Sequence, residues 1–178
     1  MKVRSAKIAD AKSIHSLINS YAEQDRMLFR SLTDIYENLQ TFIVAESDGA
    51  MDSTLRPFDF AQGGLRSVQA GSPSIVGCCG LQIIWSDLAE IRSLAVKEPN
   101  SGTGAGKMLV AEAVERAKQL GIQRVFALTL EPEFFEKLGF ERVEKSTLPM
   151  KVWRDCARCS KQQNCDEVAV VKTVARRS

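Results

Sequence analysis

The stretch EPNSGTGAGKML, residues 98–109, places glycine at alternate positions, Gly102, Gly104 and Gly106, directly before a helical pattern. Glycines spaced this way let main-chain N–H groups approach a ligand with no side chain between them. The helix start beyond leaves several N–H groups unpaired at the positive end of the helix dipole. A strand-like run, Leu88 to Val96, leads into this loop. A strand, a bare loop and a helix start in that order predict an anion site, most often one for phosphate.

The spacing narrows the kind of phosphate. A Walker A loop reads G-x-x-x-x-G-K-[ST]. Counted back from Gly106-Lys107, its first glycine would fall on Ser101, and its magnesium-holding hydroxyl would fall on Met108. A dinucleotide fingerprint, G-x-G-x-x-G, would need a third glycine at Lys107. Both spacings argue against nucleoside triphosphates and NAD.

The remaining chain reads as one mixed α/β (α+β) domain over residues 1–178, with an apolar content of 44% that is ample for a core. Val3 to Ile8 reads as a strand, followed by a helix capped by Asp10 with the apolar stripe Ile14, Leu17, Ile18 and Tyr21. A break at 24–28 precedes a second helix begun by Ser31. Strands follow at Phe42–Ser47, Ile75–Ile84 and Leu88–Val96. A helix then runs from about Gly104 to Leu120, with Leu109, Val110, Val114, Ala117 and Leu120 on its buried face and Gly121 as its stop. A strand at 124–130, a short helix from Pro132 to Gly139, and strands at 140–145 and 167–174 complete the order. Residues 51–74 mix Gly, Ser, Pro and Gln without a period, which predicts an insertion at a hairpin tip that folding does not need.

The formal net charge of +2 lacks the footprint of a nucleic-acid binder. No apolar run approaches the ~20 residues of a membrane span. The N-terminal segment has no apolar stretch of signal-peptide length, so the expected location is cytoplasmic.

The pattern Ser101-Gly-Thr-Gly-Ala-Gly106, following a strand that ends in S-L-A-V, resembles the pyrophosphate loop Q/R-x-x-G-x-G/A of the GNAT N-acetyltransferases. EIRSLAVKEP resembles that family's fourth strand, and FFEKLGF its F-Y-x-x-x-G-F segment; all three stand in the family's order. Two positions depart from it: Ser101 replaces Gln or Arg, and Thr103 stands where arginine is frequent. RMLFRSL, LTLEPEFFEKLGF and KVWRDCARCSKQQNCDEVAVV further resemble the short, stand-alone N-acetylglutamate synthases. The fold this implies is a central sheet of about six to seven strands flanked by about four helices, with the fourth and fifth strands splayed around coenzyme A.

The resemblance implies acetyl transfer from acetyl-CoA to the α-amine of L-glutamate, with a homodimer as a possible assembly. It assigns the CoA contacts to Leu94, Ala95 and Val96 on the strand, to Ser101, Gly102, Thr103, Gly104, Ala105, Gly106 and Lys107 in the loop, and to Phe135. Glu90 matches the proposed base, and its place four residues before Leu94 predicts one shared strand face. An exposed strand-end charge is the alternative. A dicarboxylate acceptor needs cationic partners, for which Arg30, Arg92 and Lys151 are the candidates. Phe135 occupies the position of the family tyrosine that protonates the departing thiolate; water or Thr129 could supply that proton. Another amine acceptor, or a non-catalytic acetyl-CoA sensor, are the competing functions.

Cys78 and Cys79 lie in an apolar strand, which predicts inert small hydrophobes rather than nucleophiles. His15, the one histidine, lies off its helix's apolar stripe and reads as a surface residue. Cys156, Cys159 and Cys165, in the loop 146–166, have C-x₂-C-x₅-C spacing. That spacing offers a zinc half-site without a fourth ligand, or reduced thiols in a compact turn, and no metal is assigned.

Overall fold

Residues 75–81 are buried without interruption, so the middle of the sheet must be covered on both faces. The computed structural model describes residues 1–47, 74–149 and 165–174. Its strands are β1 (Lys2–Ser5), β2 (Phe42–Ser47), β3 (Ser74–Trp85), β4 (Leu88–Val96), β5 (Arg124–Thr129), β6 (Glu141–Val143) and β7 (Val168–Thr173). They form one sheet in the order β1-β2-β3-β4-β5-β7-β6. Every neighbouring pair is antiparallel except β4 and β5. Four α-helices stand among the described residues: α1 (Ala11–Ala22), α2 (Leu32–Glu37), α3 (Ala105–Gln119) and α4 (Pro132–Glu136).

Helix α3 makes the crossover that a parallel β4–β5 pair requires. Its Leu109, Val110 and Val114 bury against Ile43, Cys79 and Ile91, and α4 adds Phe135 to the same core. The helix can come this close because β3 carries Gly77: a Cβ there would stand 3.0 Å from the Leu109 side chain. On the opposite face, Ile14, Ile18 and Ile35 from α1 and α2 pack on Val44 and Cys78. Each fully buried aliphatic side chain contributes about 1.5–3 kcal/mol. Cys78 and its neighbour Cys79 thus point into opposite cores, as strand alternation requires.

The expected elements are present, with local differences. The first strand ends at Ser5, and Ile8–Asp10 forms a 3₁₀ turn. Asp10 makes no side-chain cap on α1. Its carboxylate turns back to accept from the Lys7 amide at 2.7 Å and from Arg4 Nη1 at 2.6 Å. Leu120, expected in the core, is 59% exposed. The turn at Gly121 folds Ile122 back over the helix end, where its amide bonds the Ala117 carbonyl, and Ile122 is buried instead. The hairpin insertion 51–74 lies outside the described residues except for Ser74, at the start of β3.

Arg4 joins Asp10 and Glu46 and thereby fixes β1 and the start of α1 against β2. Burial raises the Asp10 pKa, but the Arg4 hydrogen bond and the Lys7 amide outweigh it, so the carboxyl titrates below its ordinary value. A depressed carboxyl contributes stability above its unfolded pKa and loses it as pH falls through the folded one. Asp10→Asn should therefore cost about 1–3 kcal/mol at pH 7, since Glu46 still pairs Arg4. Thermal melts should show the gap between parent and variant closing on acidification below the ordinary carboxyl pKa.

Candidate active site

Strands β4 and β5 pair at only three rungs, Leu88↔Arg124, Ala89↔Val125 and Glu90↔Phe126. Beyond Glu90 they part, although β4 stays paired with β3 up to Val96 and β5 with β7 up to Thr129. The sheet therefore opens into a V whose apex is Glu90. The Lys97 amide donates to the Val76 carbonyl at 2.8 Å, which makes Val96↔Gly77 the non-hydrogen-bonded type of pair. The backbone N–H and C=O of Val96 then point away from β3, into the opening. From α1, the Tyr21 hydroxyl donates to that carbonyl.

A bulge interrupts β4 in the opening. Cys78 pairs Ala95 and Gly80 pairs Arg92, so Cys79 faces both Ser93 and Leu94, and Ser93 has φ of 52°. A bulge leaves its extra residue outside the ladder and reverses the facing of the residues beyond it. Glu90 and Arg92 consequently share a face with Ala95, while Leu94 and Val96 lie on the α3 side. The expectation that Glu90 and Leu94 share one face is corrected by this single inserted residue. Gly80 stands across the pair from Arg92.

The glycine loop begins with a 3₁₀ turn, Glu98–Asn100, and enters α3 with Gly102 at φ 79° and Gly104 at φ 92°. A Cβ on either of these two glycines would meet no protein atom within 4 Å. No side chain caps α3, and the Gly104 carbonyl accepts first from Met108, at 3.0 Å. The amides of residues 105–107 have no intrahelical partner. The Thr103 hydroxyl turns away to the Asn100 carbonyl at 2.7 Å. Gly106 is different, since a Cβ there would press within 3.3 Å of the Phe134 ring.

One cleft of about 760 Å³ joins these parts. Ser101, Gly102, Gly104, Gly106 and Lys107 line it together with Leu94, Val96 and Phe135, and Glu90, Arg92 and Arg30 also open onto it. Ala95, Thr103 and Ala105 do not line it; Ala95 and Ala105 are buried. Phe135 stacks edge-on with Phe134 and Phe140, each at 5.2 Å, as part of the α3–α4 core. Lys151, Cys156 and Cys159 lie outside the described residues. Cys165 is exposed, with its sulfur 3.2 Å from Lys145 Nζ, and no metal-ligand cluster occurs among the described residues.

The sequence reading placed Arg30 in the break after α1, over the acceptor site, but missed the contribution of Tyr21 and Arg26. Asp25 adopts φ of 56°, and the amides of Asp25 and Arg26 close onto the carbonyls of Ala22 and Tyr21. That Schellman closure turns the chain across the cleft and brings Arg26, Met27 and Leu28 to its wall. Arg26 lies over the Tyr21 ring at 4.7 Å and reaches Glu131, beyond β5, at 3.7 Å. Tyr21 could be read only as one more member of an apolar stripe. His15, expected at the surface, is half-buried, with its Nε2 3.0 Å from the Asn19 amide nitrogen.

Burial pushes the Cys79 thiol up to about 12 and the Cys78 thiol higher still. Both are fully buried and hold their protons, so neither offers a thiolate. The Thr129 hydroxyl, in the cleft wall, accepts from the Glu131 amide at 2.9 Å. No helix among the described residues is long and apolar enough to cross a membrane.

A mixed sheet parted between two parallel strands, over a glycine-lined helix start, is the architecture of a CoA-dependent acyltransferase. The chain belongs to the acetyltransferase (GNAT) family, whose sequence pattern matches residues 13–140. It is 37% identical over 172 residues to an uncharacterised N-acetyltransferase of Chlorobaculum tepidum, covering 97% of this chain and 96% of that one. It is 33% identical to the amino-acid acetyltransferase of Mycobacterium tuberculosis, over 88% of this chain and 77% of the relative. The structure is similar to that of N-acetylglutamate synthase from Neisseria gonorrhoeae complexed with coenzyme A and N-acetyl-glutamate. The TM-score is 0.76 at 25% identity, over 98% of this chain and 35% of that longer one.

Proposed function

We propose that the protein transfers acetyl from acetyl-CoA to the α-amine of L-glutamate by direct attack. The observation that carries this reading is the cleft that joins a bare anion cradle, an open strand edge, the Glu90 carboxylate and the arginines Arg30 and Arg92. The relatives named for amino-acid acetylation support the choice of acceptor.

Acetyl-CoA supplies an activated acetyl thioester. Toward it, the free amides at the start of α3 and the uncrowded Gly102 and Gly104 fit a pyrophosphate. The outward-turned backbone of Val96 fits an extended amide arm, as a further strand would. The Leu94 amide, at the bulge, is assigned to the developing oxyanion. Glu90 takes a proton from the ammonium, so that the amine nitrogen can form the new C–N bond as the C–S bond breaks. Water or the Thr129 hydroxyl in the cleft wall protonates the thiolate, because Phe135 has no proton to give.

Arg30 and Arg92 are assigned to the acceptor's carboxylates. Replacing either by Gln should raise the KM for glutamate, and replacing the one that holds the side-chain carboxylate should erode the preference over glutamine by about 10–100-fold, the worth of a hydrogen bond to a charged group. A screen of the amino acids with acetyl-CoA and a thiol reagent tests the whole reading. Glutamate should release CoA fastest. Turnover confined to a polyamine or a protein lysine would replace the acceptor, and tight CoA binding without turnover on any amine would make the protein a sensor.

A further inference from the structure

Arg30 stands on an irregular stretch between two helices, where no ladder serves its backbone. Both of its main-chain groups are nonetheless satisfied by one side chain. The Arg30 amide donates to Asn19 Oδ1 at 3.0 Å, and Asn19 Nδ2 donates to the Arg30 carbonyl at 3.0 Å. The carboxamide of Asn19 thus pairs with residue 30 as a neighbouring peptide group would in a sheet. This arrangement also fixes which end of the carboxamide is nitrogen, because a backbone N–H can face only the oxygen. The second hydrogen of Nδ2 then points to His15 Nε2, 3.0 Å away, which must accept it.

We infer that Asn19, braced by His15, is a positioning residue that sets Arg30 for the acceptor; this rests on the proposed role of Arg30. Neither residue lines the cleft, whereas Arg30 does. On its other side the stretch is closed by Ser31, whose hydroxyl accepts from the Asp34 amide at 3.0 Å, while Arg30 Nη1 pairs with Asp34 at 3.3 Å. With both ends held, the Cα of Arg30 has a fixed place, from which its guanidinium reaches Asp34 and the cleft. Without Asn19 the same charge remains, but it must be ordered each time an acceptor arrives. That cost falls on acceptor binding and leaves the bond-forming step alone.

The test uses the full chain with acetyl-CoA and L-glutamate. Asn19→Ala should raise the glutamate KM about tenfold, the loss of two ordinary hydrogen bonds, with kcat and the acetyl-CoA Kd within about twofold of the parent. Asn19→Asp keeps acceptance from the Arg30 amide but not donation to its carbonyl, and should fall between the two. Hydrogen exchange gives a readout free of substrate: the Arg30 amide should be protected in the parent and lose protection in Asn19→Ala. In an Arg30→Ala background, Asn19→Ala should add nothing to KM. An unchanged KM despite a deprotected Arg30 amide, or an equal fall in kcat and CoA affinity, overturns the inference while Arg30→Ala still raises KM. If Arg30→Ala itself leaves the glutamate KM unmoved, the acceptor assignment fails and the positioning role fails with it.

Discussion

Replacing Glu90 by Gln should lower turnover by roughly 10²–10⁴, the usual worth of a positioned general base. The substitution preserves size and most hydrogen bonding, so the fold and the acetyl-CoA Kd should hold. Glu90 occupies the last paired rung before β4 and β5 part, and its register is fixed on both sides by Gln82 and Phe126. A side chain so anchored cannot slide to compensate. The residual rate should climb with pH in the variant, as hydroxide takes over the removal of the ammonium proton. Steady-state kinetics from pH 6 to 10 test this, and a parent-like rate at neutral pH would remove Glu90 from the mechanism.

Gly104→Val should weaken acetyl-CoA binding by roughly a hundredfold or more, the loss of one or two charge-assisted hydrogen bonds from the amides at the start of α3. Two effects combine at this residue. Its φ of 92° lies where an L side chain is strained, at a cost of about 1–2 kcal/mol. The added methyls would also project into space that no protein atom fills. Gly121→Val separates the two effects, because Gly121 has φ of 77° and equally open surroundings but does not line the cleft. Calorimetry should find normal CoA affinity in Gly121→Val alongside a comparable drop in melting temperature. Equal binding by both variants would sink the pyrophosphate assignment.

The anion loop was legible in the sequence because its signal is local: alternate glycines, then a helical period, with a strand behind. The same holds for the ends of α3 and α4, where Gly121 and Gly139 stop each helix within a few residues of the last apolar contact. The facing of Glu90 was not legible. It depends on one extra residue in β4, carried by a serine at positive φ, and no residue type announces it. Tyr21, Asn19 and Arg26 escaped for another reason. Their partners Val96, Arg30 and Glu131 lie 75, 11 and 105 positions along the chain, and only the packing of α1 on the sheet brings the first and last of these together. Leu120 was misplaced because helical periodicity cannot see the chain fold back beyond Gly121.

Sheets usually confine unpaired backbone to their rims, where short strands and charges blunt it. This sheet follows that rule outwardly, since its two rim strands are only four and three residues long. Among the described residues, its longer edge without a strand partner runs through the interior, along β4 beyond Glu90. An edge of that kind is a template for any extended chain, including a stray segment of another protein. The Tyr21 hydroxyl on the Val96 carbonyl and the Arg26–Glu131 pair stand guard over it. The feature that makes the molecule receptive to a ligand is thus also one that invites misassociation, and α1 with its following turn lies over both.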